Sequence, residues 1–404
     1  MGIKFTIIKE RKTPADRRVV LTPSKLIQAQ KQFPDAIFKI ESSDIRVFSN
    51  KDYTKAGFKV THNVSDCDVF IGVKEVPIEN LIPNKAYFFF SHTIKKQPYN
   101  RKLLKAVLEK NIVLYDHETI VNEKGFRLIG FGRYAGIVGT YNGFRAWGLK
   151  YNVWNLPKAE AIHDQKALIN QLQNLTFPNI KILLTGSGKV ANGSQEILDA
   201  VPIKKVSVDD YLNQTFNEPV YCKIDVLDYN KRKDGKVIDM FDFFNNPQDY
   251  ESNFMRFAKV TNYYIAGHFY GNGAPEFFTK EAVKSSDFKI KVIADISCDV
   301  NNGPIPTTLR TSTIEEPFYG YDPQTEAETG YKNESAIAVM SVDNLPCELP
   351  KDASEGFGNQ FLQHVMPAFF NNDKDGVLAR AKITENGQLT SRFAYLQDYV
   401  DGLE

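Results

Sequence analysis

Ile180-Lys181-Ile182-Leu183-Leu184-Thr185-Gly186-Ser187-Gly188-Lys189-Val190-Ala191 decides the fold: a short apolar run ends in a glycine turn, and a helix-like stretch follows. The spacing is G-x-G-x-x-A. Its first glycine permits the tight turn, its second lets a pyrophosphate approach the backbone, and the small third residue lets helix and strand pack closely. N–H groups left open at the start of such a helix face phosphate oxygens. Gly186, Ser187, Gly188, Lys189 and Val190 are therefore the candidate dinucleotide contacts, with a helix expected over Gln195 to Ala200. Taken alone, the pattern also describes a tight turn without a ligand.

Just downstream, Val206-Ser207-Val208-Asp209 reads as the next strand, ending in a carboxylate. About 20 residues after such a turn, an acid accepts the ribose 2′-hydroxyl of NAD and repels a 2′-phosphate. NAD is favoured on this basis, with NADP left open. Asp209 and its neighbour Asp210 read equally well as solvated turn acids.

Outward from the turn, Phe5–Ile8, Val69–Val73, Tyr87–Phe90 and Ile112–Tyr115 are strand-like, and helices are expected from Thr22-Pro23 to about Gln32 and over Arg101–Lys110. Continuous apolar runs mark strands covered on both faces, hence parallel sheets. A chain of 404 residues exceeds what one core usually organises. The expected fold is α/β, with two Rossmann-like doubly wound domains and a cleft between them. A substrate domain is expected at residues 1–138 plus about 318–404, closed by a helix near Asp352–Val365, and a dinucleotide-binding domain at 139–317.

Fifty Lys and Arg stand against 49 Asp and Glu, so no net field recruits nucleic acid or an anionic membrane. Met1-Gly2-Ile3-Lys4-Phe5 lacks the layout of a cleavable leader, and no run of about 18 apolar residues follows. Cys67, Cys222, Cys298 and Cys347 form neither a CxxC pair nor a metal-spaced cluster with histidine. A cytoplasmic protein with reduced thiols, no metal and small-molecule partners is expected.

Ligands of open α/β sheets sit at the carboxyl ends of strands. Those ends are polar here: Lys74-Glu75, Ser91-His92 and Asp116-His117-Glu118. If the three strands are neighbours, Lys74, His92 and Glu118 converge, and a lysine and an imidazole tuned by carboxylates can exchange protons near neutral pH. Arg17 and Arg18 follow the first strand and Arg127 precedes Leu128-Ile129-Gly130, so guanidinium forks are at hand for a dicarboxylate. Individually, each of these side chains also reads as a solvated or structural residue.

Lys9-Glu10 with Asp16-Arg17-Arg18-Val19-Val20-Leu21-Thr22-Pro23 resembles the opening of the alanine dehydrogenase, transhydrogenase and saccharopine dehydrogenase superfamily. Gly72-Val73-Lys74-Glu75-Val76-Pro77, Phe89-Phe90-Ser91-His92-Thr93-Ile94-Lys95 and Phe131-Gly132-Arg133-Tyr134-Ala135-Gly136 narrow the resemblance to saccharopine dehydrogenases and the lysine–ketoglutarate reductase half of bifunctional animal and plant enzymes. Ala294-Asp295-Ile296-Ser297-Cys298-Asp299, Ser312-Thr313-Ile314-Glu315-Glu316-Pro317-Phe318 and Ser341-Val342-Asp343-Asn344-Leu345-Pro346 carry it into the second half.

The resemblance implies two Rossmann-like domains, the first closed by C-terminal elements, and interconversion of saccharopine with lysine plus 2-oxoglutarate through a nicotinamide cofactor. By motif position it implies Lys74 and His92 as the acid–base pair and Arg18 and Arg127 as carboxylate grips. It further implies Glu75 and Glu118 as acids tuning Lys74 and the substrate amine, and Asp299 as an aspartate near the nicotinamide. It is compatible with a homo-oligomer. Ser207–Asn262 is longer and more polar than in the fungal enzymes, and their cysteine in the glycine turn is absent, which leaves cofactor choice open. Two other readings stand beside it: an alanine dehydrogenase-like enzyme using pyruvate and ammonia, and a non-catalytic nucleotide-binding relative.

Overall fold

Six apolar runs early in the chain become the strands of one sheet: β1 (Lys4–Ile7), β2 (Ile37–Glu41), β3 (Lys59–Thr61), β4 (Val69–Lys74), β5 (Ala86–Phe90) and β6 (Val113–Asp116). The computed structural model describes residues 2–271, 273–300 and 302–404. The sheet order is β3-β2-β1-β4-β5-β6, and every neighbouring pair is parallel. Thr22 caps the helix Pro23–Gln32 by accepting the N–H of Lys25, with proline in its first turn. The second expected helix runs over Arg101–Glu109.

The chain divides into two compact units, one of residues up to Phe131 together with Pro350–Glu404, the other Gly132–Leu349. In the first, side chains alternate between the faces of the sheet. Tyr87 and Phe89 enter one buried cluster with Phe70, Leu104 and Leu114. Phe88 and Phe90 point the other way, among the rings of Phe357 and Phe361, which also surround the fully buried His117. The tail finishes this unit at the outer edge of β6. Thr384 Oγ1 takes the N–H of Leu114 and donates to the Ile112 carbonyl, so that edge offers no bare ladder.

The second unit holds β7 (Lys181–Thr185), β8 (Lys204–Lys205), β9 (Val220–Ile224), a separate hairpin of β10 (Asn230–Arg232) and β11 (Tyr250–Ser252), then β12 (Tyr263–Ala266), β13 (Val292–Asp295), β14 (Phe318–Asp322), β15 (Ala327–Thr329) and β16 (Ile337–Met340). Its main sheet runs β15-β14-β16-β13-β12-β7-β9-β8. The strands from β8 to β16 are parallel, while β14 runs antiparallel to both β16 and β15. This pairing corrects the expected return of the chain near residue 318. β16 lies parallel against β13 and β14 lies against β16, so residues through Leu349 group with the second sheet.

The other boundary falls at Gly132 rather than 139, because the buried helix Gly132–Tyr151 belongs to the second unit as a whole. That helix meets the one after the glycine turn backbone to backbone. A Cβ on Gly136 would lie 1.9 Å from the Val190 carbonyl oxygen, and one on Gly193 would lie 1.9 Å from that of Arg133. Gly136→Val should therefore lower the denaturation midpoint of this unit by the equivalent of about 1–3 kcal/mol, the usual cost of overpacking.

Burial holds the His117 imidazole down to about 4 from its usual 6.5, outweighing the bond it makes to Gly72. Between those values the unfolded chain takes a proton that the folded chain refuses. The stability so contributed is complete above pH 6.5 and lost as pH falls toward 4. The urea midpoint of the wild type should drop over that range, and His117→Gln should flatten that part of the profile.

Candidate active site

Because β1 and β4 are the neighbours at which the strand order of the first sheet reverses, their carboxyl ends form its natural crevice. The loop after β1 delivers Glu10, Lys12, Asp16 and Arg18 there, and β4 ends on Lys74. Glu10 accepts the backbone N–H groups of Val73 at 2.7 Å and Lys74 at 2.8 Å. Arg18 is buried, donates to both oxygens of Asp16, and lies 4.3 Å above the Phe131 ring. Burial works against the Asp16 charge, but the Arg18 guanidinium, with help from Lys74, brings its carboxyl down to about 2. One edge of the Arg18 fork is thus held by a protein carboxylate. Glu75 Oε1 pairs with Lys12 Nζ at 2.6 Å, so the acid expected to tune Lys74 has another lysine as partner. Lys12 was not singled out from sequence; a lysine in a polar loop carries no signal until β4 is placed beside it.

β5 and β6 complete the site. Lys74 pairs with Phe90, two positions before His92, so the lysine and the imidazole sit on adjoining strand ends. His92 adopts a left-handed backbone, φ 54°, ψ 14°, costly for a residue with a side chain. The buried Asp116 holds it there by accepting the N–H groups of Ser91 and His92 at 2.9 and 3.0 Å, with a further bond from Ser91 Oγ. His92 Nδ1 lies 3.0 Å from Glu118 Oε2. An ionised carboxylate can only accept, so Nδ1 carries the proton and Nε2 is the nitrogen that can trade one with a substrate. Burial opposes the Glu118 charge, yet the His92 bond and the charges of Arg127 and Lys95 outweigh it and pull the carboxyl down to about 2. Arg127 reaches Glu118 Oε1 at 2.8 Å and Lys95 at 3.4 Å. Glu118 accordingly serves the imidazole and the arginine.

The second unit provides the dinucleotide turn. Gly186 has φ +105°, and a Cβ there would meet Gly267 O at 2.6 Å and His268 Cα at 2.9 Å. Gly188 caps the helix Lys189–Asp199, and a Cβ there would meet nothing within 4 Å. Space is left where a phosphate group must approach, with the first N–H groups of an 11-residue helix beside it, so these residues fit a dinucleotide. The helix starts at Lys189, earlier than expected, because the turn itself caps it. Ser187, Gly188 and Lys189 are exposed and Val190 is half-buried.

Asp209 does not end a strand. Ser207 accepts the N–H of Asp210 and caps a short helix, Val208–Asn213, in whose first turn Asp209 bonds Asn213. Local capping overrides the β-branched run, which leaves only Lys204–Lys205 extended. β7 lies between β12 and β9, and the carboxyl end of β9 presents Asp225, where an acid would meet a ribose. His268 was also unforeseen. It lies beside the turn with Nδ1 3.0 Å from Thr185 Oγ1, and burial drives its imidazole down to about 3. Burial and the nearby Asp295 raise the Asp299 carboxyl to about 6. Among the described residues no cluster of His, Cys, Asp and Glu could hold a metal, and none of the four cysteines forms a disulfide.

The two sheets define a class: α/β proteins with two Rossmann-like units. Residues 6–138 match the family described as alanine dehydrogenase/PNT, N-terminal domain. The chain is 28% identical over 410 residues to the mitochondrial alpha-aminoadipic semialdehyde synthase of Bos taurus, an alignment covering 89% of this chain and 44% of that protein. It thus spans less than half the length of that relative. It is 27% identical over 390 residues to the saccharopine dehydrogenase [NAD(+), L-lysine-forming] of Candida albicans, covering 91% and 93% of the two chains. A solved L-alanine dehydrogenase shares the fold at TM-score 0.66 and 14% identity, with all of both chains covered. No helix among the described residues is long and apolar enough to cross a membrane. Gly188→Ala should leave the melting temperature unchanged while weakening NADH binding about tenfold or more, since its methyl group would enter the space kept for the diphosphate; titration of NADH fluorescence reads this directly.

Proposed function

We propose that this protein is a nicotinamide-dependent oxidoreductase that interconverts saccharopine with L-lysine plus 2-oxoglutarate, with NAD favoured as carrier. The observation that carries the reading is the placement of Lys74 and His92 on adjoining strand ends, the imidazole oriented by Glu118. The first unit is the substrate unit and the second the dinucleotide unit. The names of the mammalian and fungal relatives support the choice of substrate.

In the lysine-consuming direction the ε-amine attacks the ketone carbon of 2-oxoglutarate, water leaves the carbinolamine, and the C=N bond is reduced. Nicotinamide, when bound, supplies the hydride for that reduction. One of Lys74 Nζ and His92 Nε2 takes the proton of the attacking amine, while the other delivers a proton to the departing carbinolamine oxygen. Arg127, exposed and paired with Glu118, is the grip for a substrate carboxylate. Arg18, whose guanidinium is held in place by Asp16, is the second grip. Asp225 takes the ribose role first read into Asp209.

Turnover with NADH, 2-oxoglutarate and lysine should exceed turnover with pyruvate and ammonia, and exceed that with NADPH. Lys74→Met and His92→Gln should each lower kcat by about 10²–10⁴. Unaltered turnover in both variants, or preference for the pyruvate–ammonia pair, overturns the assignment.

A further inference from the structure

β4 carries one residue too many for its neighbour. Ile71 pairs with Phe88 and Lys74 with Phe90, so three steps along β4 match two along β5. Such a bulge leaves backbone groups outside the ladder, and it reverses the face to which every later side chain points. Lys74 is the first residue after it.

The groups released by the bulge are captured on both sides. Glu10 takes the N–H of Val73 with Oε1 and that of Lys74 with Oε2, at 2.7 and 2.8 Å. The carbonyl of Gly72 lies 2.8 Å from His117 Nε2, which must donate because a carbonyl can only accept. Gly72 makes room: a Cβ there would stand 2.8 Å from Ile8 Cδ1 and 3.4 Å from Glu10 Oε1. A carboxylate suits two adjacent N–H groups because it presents two acceptors at once. A carboxamide would turn an NH₂ toward one of them.

We propose that Glu10 is a positioning residue for Lys74, clamping the bulge so that the lysine faces the crevice at the β1/β4 switch. It touches no substrate and acts through the Lys74 backbone. The proposal rests on the reading that Lys74 is a proton-transfer group, and it adds a residue that this reading does not need.

The test is a double-mutant cycle on the full chain, assayed with lysine, 2-oxoglutarate and NADH. Glu10→Gln should lower kcat roughly 10- to 100-fold, as misplacement by about an ångström does, while both KM values move less than about threefold. In a Lys74→Met background the same change should lower kcat by less than about twofold, since a clamp has no effect on turnover once its lysine is gone. Equal losses in both backgrounds overturn the proposal, as does a Glu10→Gln enzyme with wild-type kcat. Should Glu10→Gln fail to fold, Glu10→Asp, which keeps the charge and shortens the reach, enters the same cycle with the same criteria. Full activity of Lys74→Met alone would instead sink the assignment of Lys74, a result the cycle reports separately.

Discussion

A parallel sheet buried on both faces has no place for charge except beyond the ends of its strands. That constraint governs the chemistry of this chain. β4 is buried from Val69 to Val73 and β5 from Tyr87 to Phe89, so their first ionisable or polar residues emerge together at one rim. Once there, they must be held against water and against each other. Asp116 and Glu10 do this mainly through main-chain N–H groups, and Glu118 through the side chains of His92 and Arg127. Three carboxylates, none of them the proposed proton carrier, thus set the geometry of the two groups that are.

The carboxylates differ in state as well as in place. Glu118, crowded by cations, is ionised at any ordinary pH, whereas burial brings Glu10 up to about 7 despite its two N–H bonds. In the second unit the half-buried Asp299, near the fully buried Asp295, is raised to about 6. The carboxyl groups of this chain thus range from a fixed anion at Glu118 to groups that burial brings toward neutrality.

Much of the fold was legible in the sequence because its signals are local. The glycine turn, the Thr22-Pro23 cap and the unbroken apolar strands each predict their own structure, and the polar strand ends pointed to Lys74, His92 and Glu118. What was not legible depends on partners remote in sequence. Asp209 sits where a spacing rule places a ribose acid, but it lies in a short capped helix, while the strand that pairs with β7 on that side is β9, which ends at Asp225. The late boundary was misplaced because nothing in Phe318–Met340 announces that β14 will run antiparallel to β16. Glu75 pairs with Lys12 from the β1 loop and Glu118 with His92 and Arg127, partners that the motifs carrying these acids do not announce. Glu10 entered only as part of the Lys9-Glu10 motif, and its bonds to the main chain of Val73 and Lys74 depend on the register of β4 against β5.

The first unit is not continuous in sequence: Val19 hydrogen-bonds Ser354, and the edge of β6 is finished by Thr384. The second unit is one uninterrupted stretch inserted between its halves. During synthesis the inserted unit can therefore collapse on its own while the early strands wait, their outer edge open to wrong partners, until residues Pro350–Glu404 have been made. A nascent chain of this design depends on holding such half-built sheets soluble, so its vulnerability to aggregation is greatest before that segment arrives.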